Sequence, residues 1–184
     1  MPNPSAFGRY HAQCKATGRQ EHRKLNVFAA HYRLASSAHV TTLSGLSDRS
    51  IDAYNSCFRV AMAWTALESL ESAVSSRGSV GLTMPDLAQR FRSQVGAPVL
   101  QALIASRAVH AKEKRLLRIL EAGESDDVRA LAYGIRNSLL HGDLTASAAK
   151  LTDSKKRRAL VFDLASDVLD AVNRRFTKYV QGMR

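Results

Sequence analysis

The chain has 184 residues, of which 45% are hydrophobic and 23% are charged, and these fractions argue for one globular domain with its own core and against a disordered chain. Lys and Arg outnumber Asp and Glu by 11, and Arg supplies 19 of the 27 basic residues. This balance favours a polyanionic partner, because the planar guanidinium binds phosphate oxygens in pairs. A generally Arg-rich composition is the alternative explanation.

The first half of the chain begins with residues 1–23, which carry two prolines, two glycines and scattered basic residues. We predict a basic, loosely structured N-terminal arm there and a short helix over 24–37. Ser47 or Asp48 then precedes a long apolar stripe at helical spacing. Both residue types cap helices, so the pattern predicts a long helix over about 49–75. We expect Trp64, on this helix, to be a core residue, and base stacking is the weaker alternative.

The sequence of the second half of the chain predicts four further helices. Thr83 and Pro85 indicate a short helix over 84–93, and one continuous helix is predicted from Val99 to Glu121. Ser125 is the predicted N-cap of a helix over 126–141 that Gly142 ends. Thr152 or Asp153 opens the last helix, which runs to about residue 180. The expected fold is all-α, a helical bundle of about four core helices with short additional ones, and residues 24–184 form a single helical domain.

Cysteine spacing and hydropathy exclude several other classes of protein. Cys14 and Cys57 lie far apart without a C-x-x-C pair, so we expect free thiols and no disulfide framework. The histidines have no ligand spacing, and we expect neither a metal nor a cofactor. No apolar run reaches the about 18 residues of a membrane span, and no signal peptide is visible. The chain is expected to be cytoplasmic with no membrane partner.

The most informative string is YGIRNSLLHGD, residues 133–143. Arg136 and Asn137 stand at adjacent positions, and His141 follows at the end of the same predicted helix. A histidine titrates near neutral pH and suits proton transfer at a 2′-hydroxyl and a leaving 5′-oxygen. A fixed guanidinium stabilises the charge that develops on phosphorus oxygens, and an adjacent amide can orient the phosphate or the imidazole. These residues are the predicted catalytic set.

This string resembles the R-x(4–6)-H signature of HEPN ribonuclease domains, and RNSLLHG is close to the form of the Apea-like branch. FRVAMAWTALESLE, residues 58–71, is similar to the W-x-x-L-E-x-L pattern on the second helix of such domains. The resemblance spans about residues 49–180. A second Arg–His spacing, Arg33 to His39, lacks a polar residue after the Arg and is interpreted as a chance match.

The resemblance implies a metal-independent endoribonuclease, acting as a toxin or a phage-defence effector on RNA. It implies a homodimer whose two motifs line one cleft, since each protomer offers one motif histidine, and uncovered apolar surface on the long helix and the last helix would favour association. It also implies an antitoxin or other regulatory protein, and a bond from the Glu68 carboxylate, which matches the family's Glu, to an active-site Arg. HEPN toxins paired with nucleotidyltransferase antitoxins commonly carry Tyr two residues after the His, where this chain has Asp143.

Other interpretations of the same residues remain open. One is a non-catalytic HEPN module that binds RNA or a protein partner. In the simplest interpretation His141 only caps its helix, Arg136 is a solvated cation, Asn137 a bystander and Glu68 a surface residue. A DNA-binding protein is disfavoured because no persuasive recognition helix is present. The basic run predicted to bind RNA, or else to be a solvated helix start, comprises Lys155, Lys156, Arg157 and Arg158.

Overall fold

The computed structural model describes residues 3–19, 21–37, 45–74, 82–142 and 154–181. These segments contain eight helices: α1 (Pro4–Ala16), α2 (Glu21–Ser37), α3 (Asp48–Ala73), α4 (Pro85–Arg92), α5 (Ala97–Ala105), α6 (Ala111–Glu121), α7 (Arg129–Leu140) and α8 (Lys155–Gln181). The same segments hold no strand, only an isolated antiparallel bridge between Thr83 and Asp127. The predicted all-α helical bundle is confirmed.

The long helix α3 lies at the centre and packs against α2, α7 and α8. Leu67 and Leu70 on α3 and Leu164 and Val168 on α8 are fully buried. Because the apolar stripes of α3 and α8 meet inside the bundle, the prediction that these helices keep uncovered apolar faces for association is wrong. The exception is Phe162 on α8, which is 39% exposed.

The N-terminal segment is a packed helix, which corrects the prediction of a loosely structured arm over residues 1–23. The Asn3 side chain accepts a hydrogen bond from the Ala6 amide at 3.2 Å, and a proline follows it at the first helical position. Phe7, Tyr10 and Cys14 then recur on one face and are buried in the common core. The apolar spacing i, i+3, i+7 is therefore enough to hold α1 against the bundle, and the helical domain includes residues before 24.

The predicted continuous helix over 99–121 is wrong, because the chain leaves the helix at Ser106 and resumes at Ala111. The backbone of Ser106 is extended, with ψ 138°. Its hydroxyl accepts a hydrogen bond from the Ala108 amide at 3.1 Å. A serine that bonds its local backbone in this way offers the chain an alternative to the helix.

The helix starts agree with the sequence at some positions and differ at others. Ser47 caps α3 as predicted, since its side chain accepts from the Ser50 amide. Helix α7 begins at Arg129 instead of 126, because Asp127 Oδ1 accepts from the Arg129 amide at 2.9 Å. Ser125 instead binds the Asp127 amide, at 3.1 Å, in the turn before the helix. The capping positions predicted for α8, 152 and 153, lie outside the described residues.

Both cysteines are free and buried. Burial raises the pKa of the Cys57 thiol to about 12, so this side chain is a core residue in its neutral form. None of the described helices combines the length and the hydropathy that a membrane-spanning segment requires.

Candidate functional site

Helix α7 carries the predicted catalytic string and packs against α3, α5 and α6. Its start is fixed by the preceding loop, where the Val128 amide donates to the Leu82 carbonyl at 3.0 Å. Arg92 on α4 donates to Asp126 Oδ1 from both terminal nitrogens at 3.0 Å. These bonds are part-buried, so they fix the register in which α7 enters the bundle.

Arg136 and Asn137 are joined by a direct side-chain hydrogen bond. Arg136 Nη1 donates to Asn137 Oδ1 at 2.7 Å, and Asn137 is only 2% exposed. The Nε atom of Arg136 is buried, and within the described part of the chain it has no hydrogen-bond partner. An amide that is buried and bonded in this way can hold the guanidinium in place, and its 2% exposure leaves little of it open to a ligand.

His141 lies one residue beyond the last helical position and its side chain is exposed. Its amide donates to the main-chain carbonyl of Asn137 at 2.9 Å. Gly142 follows with φ +74°, a left-handed conformation that favours glycine and ends the helix. Asn137 therefore contacts both other motif residues, Arg136 through its side chain and His141 through its main chain.

An aromatic and cationic cluster extends from this motif along the same face of α7, at positions i, i+4 and i+7. Arg129 pairs with Glu71 at 2.7 Å, and its guanidinium carbon lies 5.3 Å from the Trp64 ring centroid. Tyr133 meets Trp64 edge-on at 5.6 Å, and the His110 ring lies 6.3 Å from that of Tyr133. Sequence reasoning missed the roles of Arg129, Tyr133 and His110. The spacing Arg129–Tyr133–Arg136 was the available signal.

Trp64 itself is 5% exposed, so its assignment to the core is confirmed. Its Nε1 atom is buried and has no hydrogen-bond partner among the residues described. Glu68, one turn further along α3, is exposed, and no bond joins it to Arg136 in the described segments. The carboxylate of α3 that binds an α7 arginine is that of Glu71, and within the described segments Glu68 does not make the expected bond to Arg136.

The segment between α5 and α6 lies against the C-terminal half of α7. Ser106 Oγ is 3.0 Å from Ser138 Oγ, and Ser138 is 1% exposed. Val109, in the same segment, is buried near Gly134. This serine pair places the loop before α6 next to the helical turn that follows Arg136 and Asn137, another contact that sequence reasoning missed.

The basic run at the start of α8 divides into two parts. Lys155 and Lys156 are exposed, whereas Arg157 and Arg158 are half-buried. Arg157 Nε donates to the carbonyl oxygen of Val95 at 3.1 Å, which ties α8 to the turn between α4 and α5. The side chain of Arg157 is thus bonded within the fold, whereas Lys155 and Lys156 are the exposed cations of this run.

Three other positions that the sequence comparison considered lie on another helix or outside the described residues. His39 and Asp143 are among the residues that the structure does not describe, and Arg33 Nε donates to the Ala29 carbonyl on its own helix. Across the segments that the structure covers, no three His, Cys, Asp or Glu side chains are placed to share a metal ion.

Comparisons with known proteins add no relative to this picture. No protein-family model, curated protein or solved structure matches the chain.

Proposed function

We propose that this chain is a metal-independent endoribonuclease of the HEPN type, acting as a toxin or phage-defence effector. The observation that carries the proposal is the arrangement at the end of α7. The guanidinium of the half-buried Arg136 is bonded to the side chain of the buried Asn137 at 2.7 Å, and the exposed His141 follows where the last turn closes through its own amide on the Asn137 carbonyl at 2.9 Å. A proton-transferring imidazole and a fixed guanidinium at the end of the same helix are the residue types that phosphodiester transesterification needs.

In the proposed reaction the 2′-oxygen of RNA attacks the adjacent phosphorus and its proton passes to a base. The bond from phosphorus to the 5′-oxygen breaks, and that oxygen takes a proton as it leaves. The products are a 2′,3′-cyclic phosphate and a 5′-hydroxyl. Arg136 would bind the phosphoryl oxygens as negative charge grows on them. His141 would serve as the proton acceptor or donor.

The test is cleavage of bulk single-stranded RNA in the presence of EDTA. Wild type should cleave and His141→Ala should not, with a loss on the order of 100-fold or more for a missing acid–base group. His11→Ala is the matched control, since His11 lies on α1, which packs against α2 and α8. Cleavage lost in EDTA and restored by Mg²⁺ would contradict the metal-independent mechanism. RNA binding without cleavage would favour a non-catalytic RNA-binding module.

We also propose that the active unit is a homodimer, because the reaction needs a proton acceptor and a proton donor and each protomer offers one motif histidine. Leu140, beside His141, is 60% exposed and Leu139 is half-buried. This apolar end of α7 is a surface that a second copy would cover.

The dimer is tested by mixing differently tagged wild type and His141→Ala chains and purifying the heterodimer. Two histidines acting on one phosphate predict a loss of much more than half of the activity per dimer. Activity near half would indicate two independent sites. A monomer by light scattering with full activity would contradict the dimer.

A toxin also requires control by an antitoxin or other regulatory protein. Expression of wild type in a bacterial host should stop growth, whereas His141→Ala should be tolerated at the same protein level. Equal growth of the two strains would contradict the assignment as a toxin.

A further inference from the structure

Helix α6 and the loop before it carry a cluster of cations that have no partner among the residues that the structure describes. Within the described part of the chain, none of their side chains makes an ion pair or a hydrogen bond. Lys114 is half-buried and the others are exposed. We call this set the α6 cationic surface: Arg107, Lys112, Lys114, Arg115 and Arg118.

Carboxylates do little to offset this charge locally. The two on α6 are Glu113, which is half-buried, and Glu121, which accepts a hydrogen bond from Gln101 on α5. Five cations against two carboxylates leave a net positive surface. Arg90, Arg92 and Arg129, by contrast, are each paired with a carboxylate.

The α6 cationic surface begins beside the α7 motif. Arg107 follows Ser106, whose hydroxyl lies 3.0 Å from that of Ser138, one residue after Asn137. At the start of α6, His110 lies against Tyr133 of α7. From there α6 runs 11 residues, which is about 16 Å at the usual helical rise. The near end of this surface therefore adjoins the turns of α7 that carry the motif.

We propose that the α6 cationic surface is the main phosphate-binding surface for single-stranded RNA, leading the strand to the α7 motif. The ligand, RNA, is taken from the proposed function. Unpaired Lys and Arg side chains bind phosphates without reading sequence and release counterions as they do so. The run at the start of α8 contributes less, because Arg157 is already bonded to Val95 and only Lys155 and Lys156 are exposed.

The test measures binding apart from cleavage, with His141→Ala as the parent protein and a fluorescent single-stranded RNA as the probe. The test variant adds Lys112→Gln, Lys114→Gln, Arg115→Gln and Arg118→Gln. The dissociation constant should rise about tenfold or more, and the salt slope should fall by about 0.7 for each phosphate that the variant no longer binds.

Two further variants serve as controls. A charge-matched control replaces four cations in and between α1 and α2, namely Lys15, Arg19, Arg23 and Lys24, with Gln and should change both quantities much less. The double variant Lys155→Gln, Lys156→Gln should have an intermediate effect. An unchanged dissociation constant and salt slope in the α6 variant would overturn the inference, as would an equal weakening of binding in the α1–α2 control.

Acetylation footprinting of the parent protein avoids any effect of substitution on folding. Bound RNA should protect Lys112 and Lys114 but leave Lys15 and Lys24 reactive, and the reverse pattern would also overturn the inference. If RNA binds through α6 but wild type never cleaves it, the proposed ribonuclease activity fails and this inference stands.

Discussion

At the scale of single residues, the motif depends on one buried amide. Asn137 was predicted as a catalytic residue because it follows Arg136 in the sequence. Sequence could not show that its side chain is buried and that its Oδ1 binds the neighbouring guanidinium. Periodicity gives the face of a helix, but neighbours one residue apart lie about 100° apart on it, and which of them turns inward depends on the packing partners.

We predict that Asn137→Ala lowers both stability and activity. The substitution leaves Arg136 Nη1 without its acceptor in a part-buried site, so the free energy of unfolding should fall by about 1–3 kcal/mol. Loss of the guanidinium position should reduce kcat by up to about 100-fold, with a smaller change in KM. Urea unfolding and steady-state cleavage measure the two effects. Wild-type kcat in a stable Asn137→Ala protein would contradict the positioning role.

At the scale of elements, long amphipathic helices were predictable and their interruptions were not. Helices α3 and α8 agree closely with prediction, since their apolar stripes span many turns. The sequence does not predict the break at Ser106, because apolar residues at helical spacing continue through it. Besides the local bond to Ala108, Ser106 makes a long-range contact with Ser138, which the sequence does not reveal. The sequence does not predict helix α1 either, because its Pro and Gly residues indicate a loop. In the structure Pro4 stands at the first helical position, where proline is tolerated.

Two glycines should respond in opposite ways to alanine. A Cβ on Gly134 of α7 would meet Leu103 and Val109 at 3.5 Å, an ordinary contact. Gly134→Ala should therefore raise the free energy of unfolding by about 0.5–1 kcal/mol, through the helix propensity of alanine. A Cβ on Gly96 would meet the Phe91 carbonyl oxygen at 2.6 Å, so Gly96→Ala should lower it by about 1–3 kcal/mol. Denaturant titration checks both, and equal shifts would contradict the packing described between α4 and α5.

The acidic face of α8 predicts a pH-dependent stability. Burial raises the pKa of Asp167, and the carboxylates of Asp163 and Asp170 raise it further. The folded state therefore holds this proton at a pH where the unfolded chain has lost it, so ionised Asp167 lowers stability above its folded pKa. This cost is absent below the usual pKa of aspartate, about 4.

Asp167→Asn should accordingly raise Tm at pH 7 by about 1–2 °C, a small shift because the side chain is only half-buried. At pH 3 the gain should vanish. The control is Asp52→Asn, an exposed position on α3, which should show no such gain at pH 7. A Tm gain for Asp167→Asn that is equal at pH 3 and pH 7 would contradict the electrostatic origin.

At the scale of the whole molecule, positive charges exceed negative ones by 11, and the basic residues differ in whether they pair with a carboxylate. The arginines of α4 and the first arginine of α7 are each paired with a carboxylate from another segment of the bundle. The α6 cationic surface makes no ion pair within the described segments, and it begins next to the α7 motif. Composition alone predicted a polyanionic partner. The distinction between structural and open cations required the three-dimensional arrangement, because it depends on partners distant in the sequence.

Attack of the RNA 2′-oxygen on phosphorus at the end of α7 is the central proposal, and the chemistry of the cleaved ends tests it most directly. Wild type should be incubated in EDTA with a defined RNA and with the same RNA carrying a single 2′-deoxynucleotide at the cleaved position. We predict fragments ending in a 2′,3′-cyclic phosphate and a 5′-hydroxyl, and no cleavage at the deoxy position. Cleavage of the deoxy substrate, or fragments that carry a 5′-phosphate, would contradict this mechanism.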